Sequence, residues 1–131
     1  MSARPGVAAR RSKRGRLSRS AEFDRVFRQG RSQSNRVLVL HVFPRGENGD
    51  PRLGLSVSRK VGGAVDRNHV KRLLREAFER EAERLPEGQD VVIVARPDAR
   101  IVAERDGLDG IHAALRELVD KARERGSGAQ R

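Results

Sequence analysis

The chain has 131 residues, 36% of them hydrophobic and only 3% aromatic, and it carries a formal net charge of +11. That is enough for one domain with a modest aliphatic core, in which Phe23, Phe27, Phe43 and Phe78 are the only aromatic candidates. The absence of cysteine excludes disulfides and thiolate metal sites, and no apolar run reaches the length of a membrane span.

Residues 1–16 are rich in Arg, with Gly, Pro and little to bury, and read as a disordered basic arm. The arm lacks the apolar stretch of a signal peptide, which predicts a cytoplasmic protein. A single domain is expected over 17–125. Its first element is a short helix over 20–29, capped by Ser18 or Ser20, with Phe23, Val26 and Phe27 in one apolar stripe and Gly30 as its stop. Residues 36–44 (RVLVLHVFP) read as a strand and 46–50 (GENGD) as a turn. A second strand over 52–58 is expected to return antiparallel. In it Leu53, Leu55 and Val57 alternate with Gly54, Ser56 and Ser58, giving one buried face and one small, polar face.

A glycine-containing loop, RKVGGAV, leads to Asp66, placed to cap a helix that runs to about Leu85. Residues 90–96 (DVVIVAR) form a short buried strand, and Pro97-Asp98 starts a turn. A last amphipathic helix is expected over 106–125, with Ile111, Ala114, Leu115, Leu118 and Val119 inward, followed by a loose tail over 126–131. The order α-β-β-α-β-α describes an α+β fold, a small, mostly antiparallel sheet packed on helices.

The charge is unevenly placed. Residues 1–36 carry +9, 37–58 are neutral, 59–75 carry +5 and 76–131 carry −3. Two concentrated basic segments suit a polyanionic partner better than general solubility. In the second segment Arg67, Lys71 and Arg75 recur at i, i+4 and i+8, with Asn68 and Arg72 in the neighbouring row. The apolar stripe Val70, Leu73, Leu74, Ala77 and Phe78 is centred about 130° away. Acids that could relieve the repulsion occur only in the following turns, at Glu76, Glu79, Glu81 and Glu83.

No helix-turn-helix pair, zinc module, aromatic RNA-recognition strand, GXXG clamp or P-loop is present. The residues themselves imply an α+β protein that binds structured or single-stranded nucleic acid. A nuclease acting through its own side chains would need clustered carboxylates or histidines. Up to residue 75 only the scattered Glu22, Asp24, Glu47, Asp50 and Asp66 are available, and His41, His69 and His112 share no motif. A general RNA chaperone or ribosomal-type protein would share the basic arm and helix without needing a cleft for an extended strand.

The run LSVSRKVGGAVDRNHVKRLLREAF resembles the signature of the bacterial ribonuclease P protein family. The Arg59-Lys60 pair, Gly62, Ala64, Val65, Arg67, Asn68, Lys71, Arg72 and Arg75 match at family spacing. The likeness extends upstream through Leu17, Phe23, Val26, Phe27, Gly30 and Asn35-Arg36 and downstream through 92–96, covering roughly residues 14–120. The resemblance implies a left-handed βαβ crossover, an exception to the usual hand, in a fold shared with a ribosomal protein domain. It also implies a non-catalytic subunit of a ribonucleoprotein endonuclease that removes the 5′ leader of precursor tRNA. The RNA subunit performs the Mg²⁺-dependent hydrolysis, the protein binds no cofactor, and its partners are that RNA and the leader, with no obligate protein partner.

On this likeness Arg59, Lys60, Arg67, Asn68, Lys71, Arg72 and Arg75 face the catalytic RNA. Phe23, Phe27, Val39, His41, Ser56 and Ser58 line the leader cleft. Two departures stand out: His69 replaces the third member of the family's Arg-Asn-Arg trio, and His41 stands where relatives often carry an aromatic residue. A neutral imidazole weakens a phosphate contact at the first and offers less stacking surface at the second.

Overall fold

The computed structural model describes residues 31–44, 49, 51–85 and 88–129. The basic arm, the helix over 20–29 with Phe23 and Phe27, and most of the 46–50 turn lie outside the described residues. Within them the chain runs β1 (Arg31–Ser34), β2 (Leu38–Pro44), β3 (Arg52–Ser56), α1 (Ala64–Glu81), a 3₁₀ turn (Ala82–Arg84), β4 (Gln89–Ala95) and α2 (Asp98–Ala129). The result is the expected α+β fold, one four-stranded sheet with both described helices on one side.

The strand order is β1-β2-β4-β3. β1 and β2 form an antiparallel hairpin, β2 pairs antiparallel with β4 from Leu38↔Ala95 to Pro44↔Gln89, and β3 pairs parallel with β4 from Arg52↔Asp90 to Ser56↔Val94. β3 therefore does run opposite to β2, but the two do not pair, because β4 lies between them. The reason is burial: Asp90–Ile93 and Ala95 are all buried, so both faces of β4 are covered and it takes a central place. β3, with Gly54 and Ser56 on one face, serves as an edge. β1 (RSQS) carries no apolar alternation to announce it. It is fixed by Asn35, whose side-chain oxygen accepts from the Val37 and Leu38 amides at 3.0 and 2.8 Å. The Asn35 amide group donates to the Ala114 carbonyl at 3.0 Å and to Glu117 at 2.9 Å, tying the hairpin to α2.

The core lies between the sheet and the helices. Leu38, Leu40, Leu53, Val91 and Ile93 meet Val70, Leu74, Ala77 and Phe78 of α1 and Ile111, Leu115, Leu118 and Val119 of α2. Helix α1 starts at Ala64, with Gly63 as an N-cap that makes no side-chain hydrogen bond. The expectation of Asp66 as cap is corrected: it sits in the first turn, where a carboxylate still complements the helix dipole. Just before this start, side chains crowd Gly62, where a Cβ would stand 2.9 Å from Asp66 Cβ and 3.0 Å from Arg100 Cδ.

At its other end α1 is braced by a buried carboxylate. Glu81, 3% exposed, accepts from Arg84 at 2.6 Å and faces His112 Nε2 at 2.6 Å. Arg84 also pairs with Asp120 of α2, and Arg123 donates to the Arg84 carbonyl at 2.5 Å. A carboxylate so deeply buried is tolerable only because its oxygens are met by such partners.

The last helix is longer than expected at both ends. It begins at Asp98, where Pro97-Asp98 opens a helix and not a plain turn, and it runs to Ala129, into the stretch read as a tail. Ala99 and Ala103, one turn apart, bury their methyl groups in the core and hold the first segment down. The expected start at 106 falls beside the real interruption, Gly107, at φ 62° and ψ −143°. Among the described residues, no helix is long and apolar enough to cross a membrane.

Nothing lies within 4 Å of a Cβ built on Gly107, so the backbone angle alone requires glycine there. Gly107→Ala should lower stability by about 1–3 kcal/mol in urea titration; an unchanged midpoint would show that the kink is not needed.

Candidate nucleic-acid interface

Packing of Val70, Leu74, Ala77 and Phe78 into the core fixes which side of α1 faces outward. The exposed ridge is Val65, 82% exposed, followed by Asn68 and Arg72. Arg67, Lys71 and Arg75 flank it half-buried. Among the described residues, no carboxylate pairs with Arg59, Lys60, Arg67, Lys71 or Arg72; further along α1, Arg80 and Glu76 stand 3.8 Å apart. The Arg67 Nε is buried without a hydrogen-bond partner, an arrangement that costs about 1–3 kcal/mol in an isolated protein.

His69, half-buried beside this ridge, reaches it through Arg72, whose Nη2 lies 3.4 Å from the imidazole Nδ1. On a helical wheel His69 lies more than about 100° from the row of Arg67, Lys71 and Arg75, but the wheel does not register how far Arg72 extends. Arg59 and Lys60 are exposed on the turn between β3 and α1, so they continue the basic surface beyond the helix N-terminus.

The second surface is the face of the sheet opposite α1 and α2. Strand register brings Ser34, Val39, Val94 and Ser56 into one cross-strand row and Ser32, His41, Val92 and Gly54 into the next. Val39, His41 and Ser56 thus share a surface, as expected. Ser58 stands apart: it lies past the end of β3 and is exposed, with its Oγ accepting from the Lys60 amide at 3.3 Å. The sequence reading missed Val92, Val94 and Phe43, which form a small apolar cluster on this face. Period-two alternation onward from Val39 and His41 could have found Phe43. A third row ends in an ion pair, where Arg52 donates through Nε and Nη2 to the two oxygens of fully buried Asp90, both at 2.8 Å.

The two surfaces differ in chemistry. The helix and turn offer guanidinium and ammonium groups that hold phosphate oxygens, Arg in a fork and Lys as a point charge. The sheet face offers small and apolar side chains, with His41 between them; burial holds its imidazole below the ordinary pKa, favouring the neutral form. Among the described residues, no three His, Asp or Glu side chains gather as a metal site.

A family model described as Ribonuclease P matches residues 12–123. The Ribonuclease P protein component of Shouchella clausii is 39% identical over 111 residues, covering 85% of this chain and 88% of that protein. That of Bacillus pumilus is 42% identical over 87 residues, 66% of this chain and 73% of its own length. The solved RNase P protein of Staphylococcus aureus superposes with a TM-score of 0.73 at 33% identity, covering 84% of this chain and 96% of that one. For the RNase P protein from Thermotoga maritima the TM-score is 0.73 at 32% identity, covering 82% and 97%.

The lowered pKa of His41 has a consequence for stability. Below about pH 6.5 the unfolded imidazole takes up a proton that the folded one resists. The His41 contribution is therefore complete above that pH and is lost as pH falls through the folded value. His41→Gln should lessen the fall in urea midpoint between about pH 7 and pH 5; parallel pH profiles for the two proteins would contradict this.

Proposed function

From the premise that the chain belongs to the ribonuclease P protein family, we propose that it binds the catalytic RNA of ribonuclease P through α1 and the turn before it. As a protein component of ribonuclease P it serves tRNA processing. The observation that carries the RNA-binding assignment is the run of Arg59, Lys60, Arg67, Lys71 and Arg72, which no described carboxylate neutralises. Phosphate oxygens of a folded RNA answer these groups, with Asn68 as a neutral hydrogen-bonding member and Arg75 extending the row.

The 5′ leader of precursor tRNA is assigned to the opposite face of the sheet. Ser56 leaves room for an extended strand, the partly exposed Val39 and Val94 give it an apolar floor, and Phe43 and His41 offer ring surface. Phe23 and Phe27 complete the cleft on the family likeness. Mg²⁺-dependent hydrolysis belongs to the RNA subunit; the protein positions the leader and raises the affinity of the complex for its substrate. On this reading the work is done in the cytoplasm. A general RNA chaperone accounts for the basic helix but leaves the graded sheet face unexplained.

Mixing the chain with a bacterial ribonuclease P RNA and precursor tRNA at low Mg²⁺ should stimulate 5′ cleavage; no stimulation refutes the assignment. Arg67→Ala and Lys71→Ala should each weaken binding to that RNA. Each should also reduce the slope of log affinity on log salt by about 0.7–0.9 per lost phosphate contact, and an unaltered slope would mean that the residue is merely solvated.

A further inference from the structure

The turn that presents Arg59 and Lys60 is held from below by a side chain of α2. Val61, 1% exposed, plugs the turn into the core, and its amide donates to the Ser58 carbonyl at 3.0 Å. Its own carbonyl accepts from Arg100 Nε at 3.1 Å, across 39 residues of chain. The stem of Arg100 then lies against Gly62, with its Cδ 3.0 Å from the place a Cβ would take. Arg100 Nη1 is turned to Glu104 at 3.3 Å, so its charge is matched within α2.

Two glycines separate this turn from α1, and glycine holds its backbone more loosely than any other residue. Without Arg100, the two cations would still be tied to the end of β3 through Ser58 and Val57, but on the α1 side they would be held by Val61 and followed only by the two glycines. Ordering that segment on RNA binding would then reduce the affinity, as for any ligand contact made by a group that is not preorganised.

We propose that Arg100 is a positioning residue for RNA binding: from α2 it locks the β3–α1 turn and so sets where Arg59 and Lys60 stand relative to the basic ridge of α1. The inference rests on the RNA-binding reading of that ridge and adds a residue outside it. Arg100 acts through the Val61 carbonyl, and the property required of it is the N–H at the ε position, not the charge. Glutamine supplies that test, because its Nε2 follows the same number of bonds as arginine Nε and is neutral.

The experiment uses the full chain with Arg100→Ala and Arg100→Gln, each with and without Arg59→Ala/Lys60→Ala. Affinity for ribonuclease P RNA is measured over a salt series, and hydrogen exchange at the Val61 amide is followed in the protein alone. Arg100→Ala should speed exchange at Val61 and weaken RNA binding about three- to tenfold. That loss should vanish in the Arg59→Ala/Lys60→Ala background, while Arg100→Gln should keep both properties near those of the wild type. Additive losses in the combined variant would make Arg100 an independent RNA contact and overturn the proposal, as would Arg100→Gln binding as weakly as Arg100→Ala. Wild-type binding that Arg100→Ala leaves unchanged overturns this inference alone. A wild-type chain that does not bind the RNA overturns the functional reading with it.

Discussion

β4 is hydrogen-bonded on both edges and covered on both faces, and the placement of every other element follows from that. Seven residues pair with β2 and five with β3, so without β4 the edge strand β3 has no place in the sheet and the β1–β2 hairpin stands alone. Because β3 and β4 run parallel, the chain between them must cross from one end of the sheet to the other, and α1 is that crossing. The helix lies on the sheet because its apolar stripe has Leu53, Val91 and Ile93 beneath it. Its basic residues face outward as a geometric consequence of the same packing.

The two ends of α1 illustrate two ways of managing charge. At the C-terminal end Glu81, Arg84, His112 and Asp120 satisfy one another and join two helices. At the N-terminal end like charges recur one turn apart, and each such pair opposes helix formation by about 0.2–0.5 kcal/mol. The helix tolerates that repulsion because burial of Val70 and Leu74, both fully excluded from solvent, outweighs it several-fold. A basic surface left unneutralised in this way depends on the rigidity of what lies under it. Here that support comes from the core, from the Glu81 brace and from the close approach at Gly62.

Much of this was legible in the sequence because it is local. The stripe and the basic rows of α1 follow from helical period, and the small face of β3 follows from alternation of period two. Central placement of β4 was signalled by its uninterrupted apolar run, but choosing its partners requires comparing pairings separated by dozens of residues, which no local pattern encodes. The two strand-forming serines of β1 carry no hydrophobic signal, and their strand exists because Asn35 turns the chain and α2 holds Asn35. Asp66 has the chemistry of an N-cap, yet two glycines let the helix start before it. Gly107 resembles a helix boundary in sequence and is a bend within one. His69 was separated by angle from a surface that the length of Arg72 restores to it.

The central position of β4 also sets an order of events during synthesis. Residues 38–44 and 52–56 leave the ribosome well before 89–95, and until then β2 has only β1 to pair with and β3 has no strand partner. The hairpin of β1 and β2 can form early, as can the local hydrogen bonds of α1, but the sheet cannot grow strand by strand from the N-terminus. Its closure is a single late step of high contact order. A nascent chain that has made α1 but not β4 therefore displays its basic side chains before it has the rigid support that aims them.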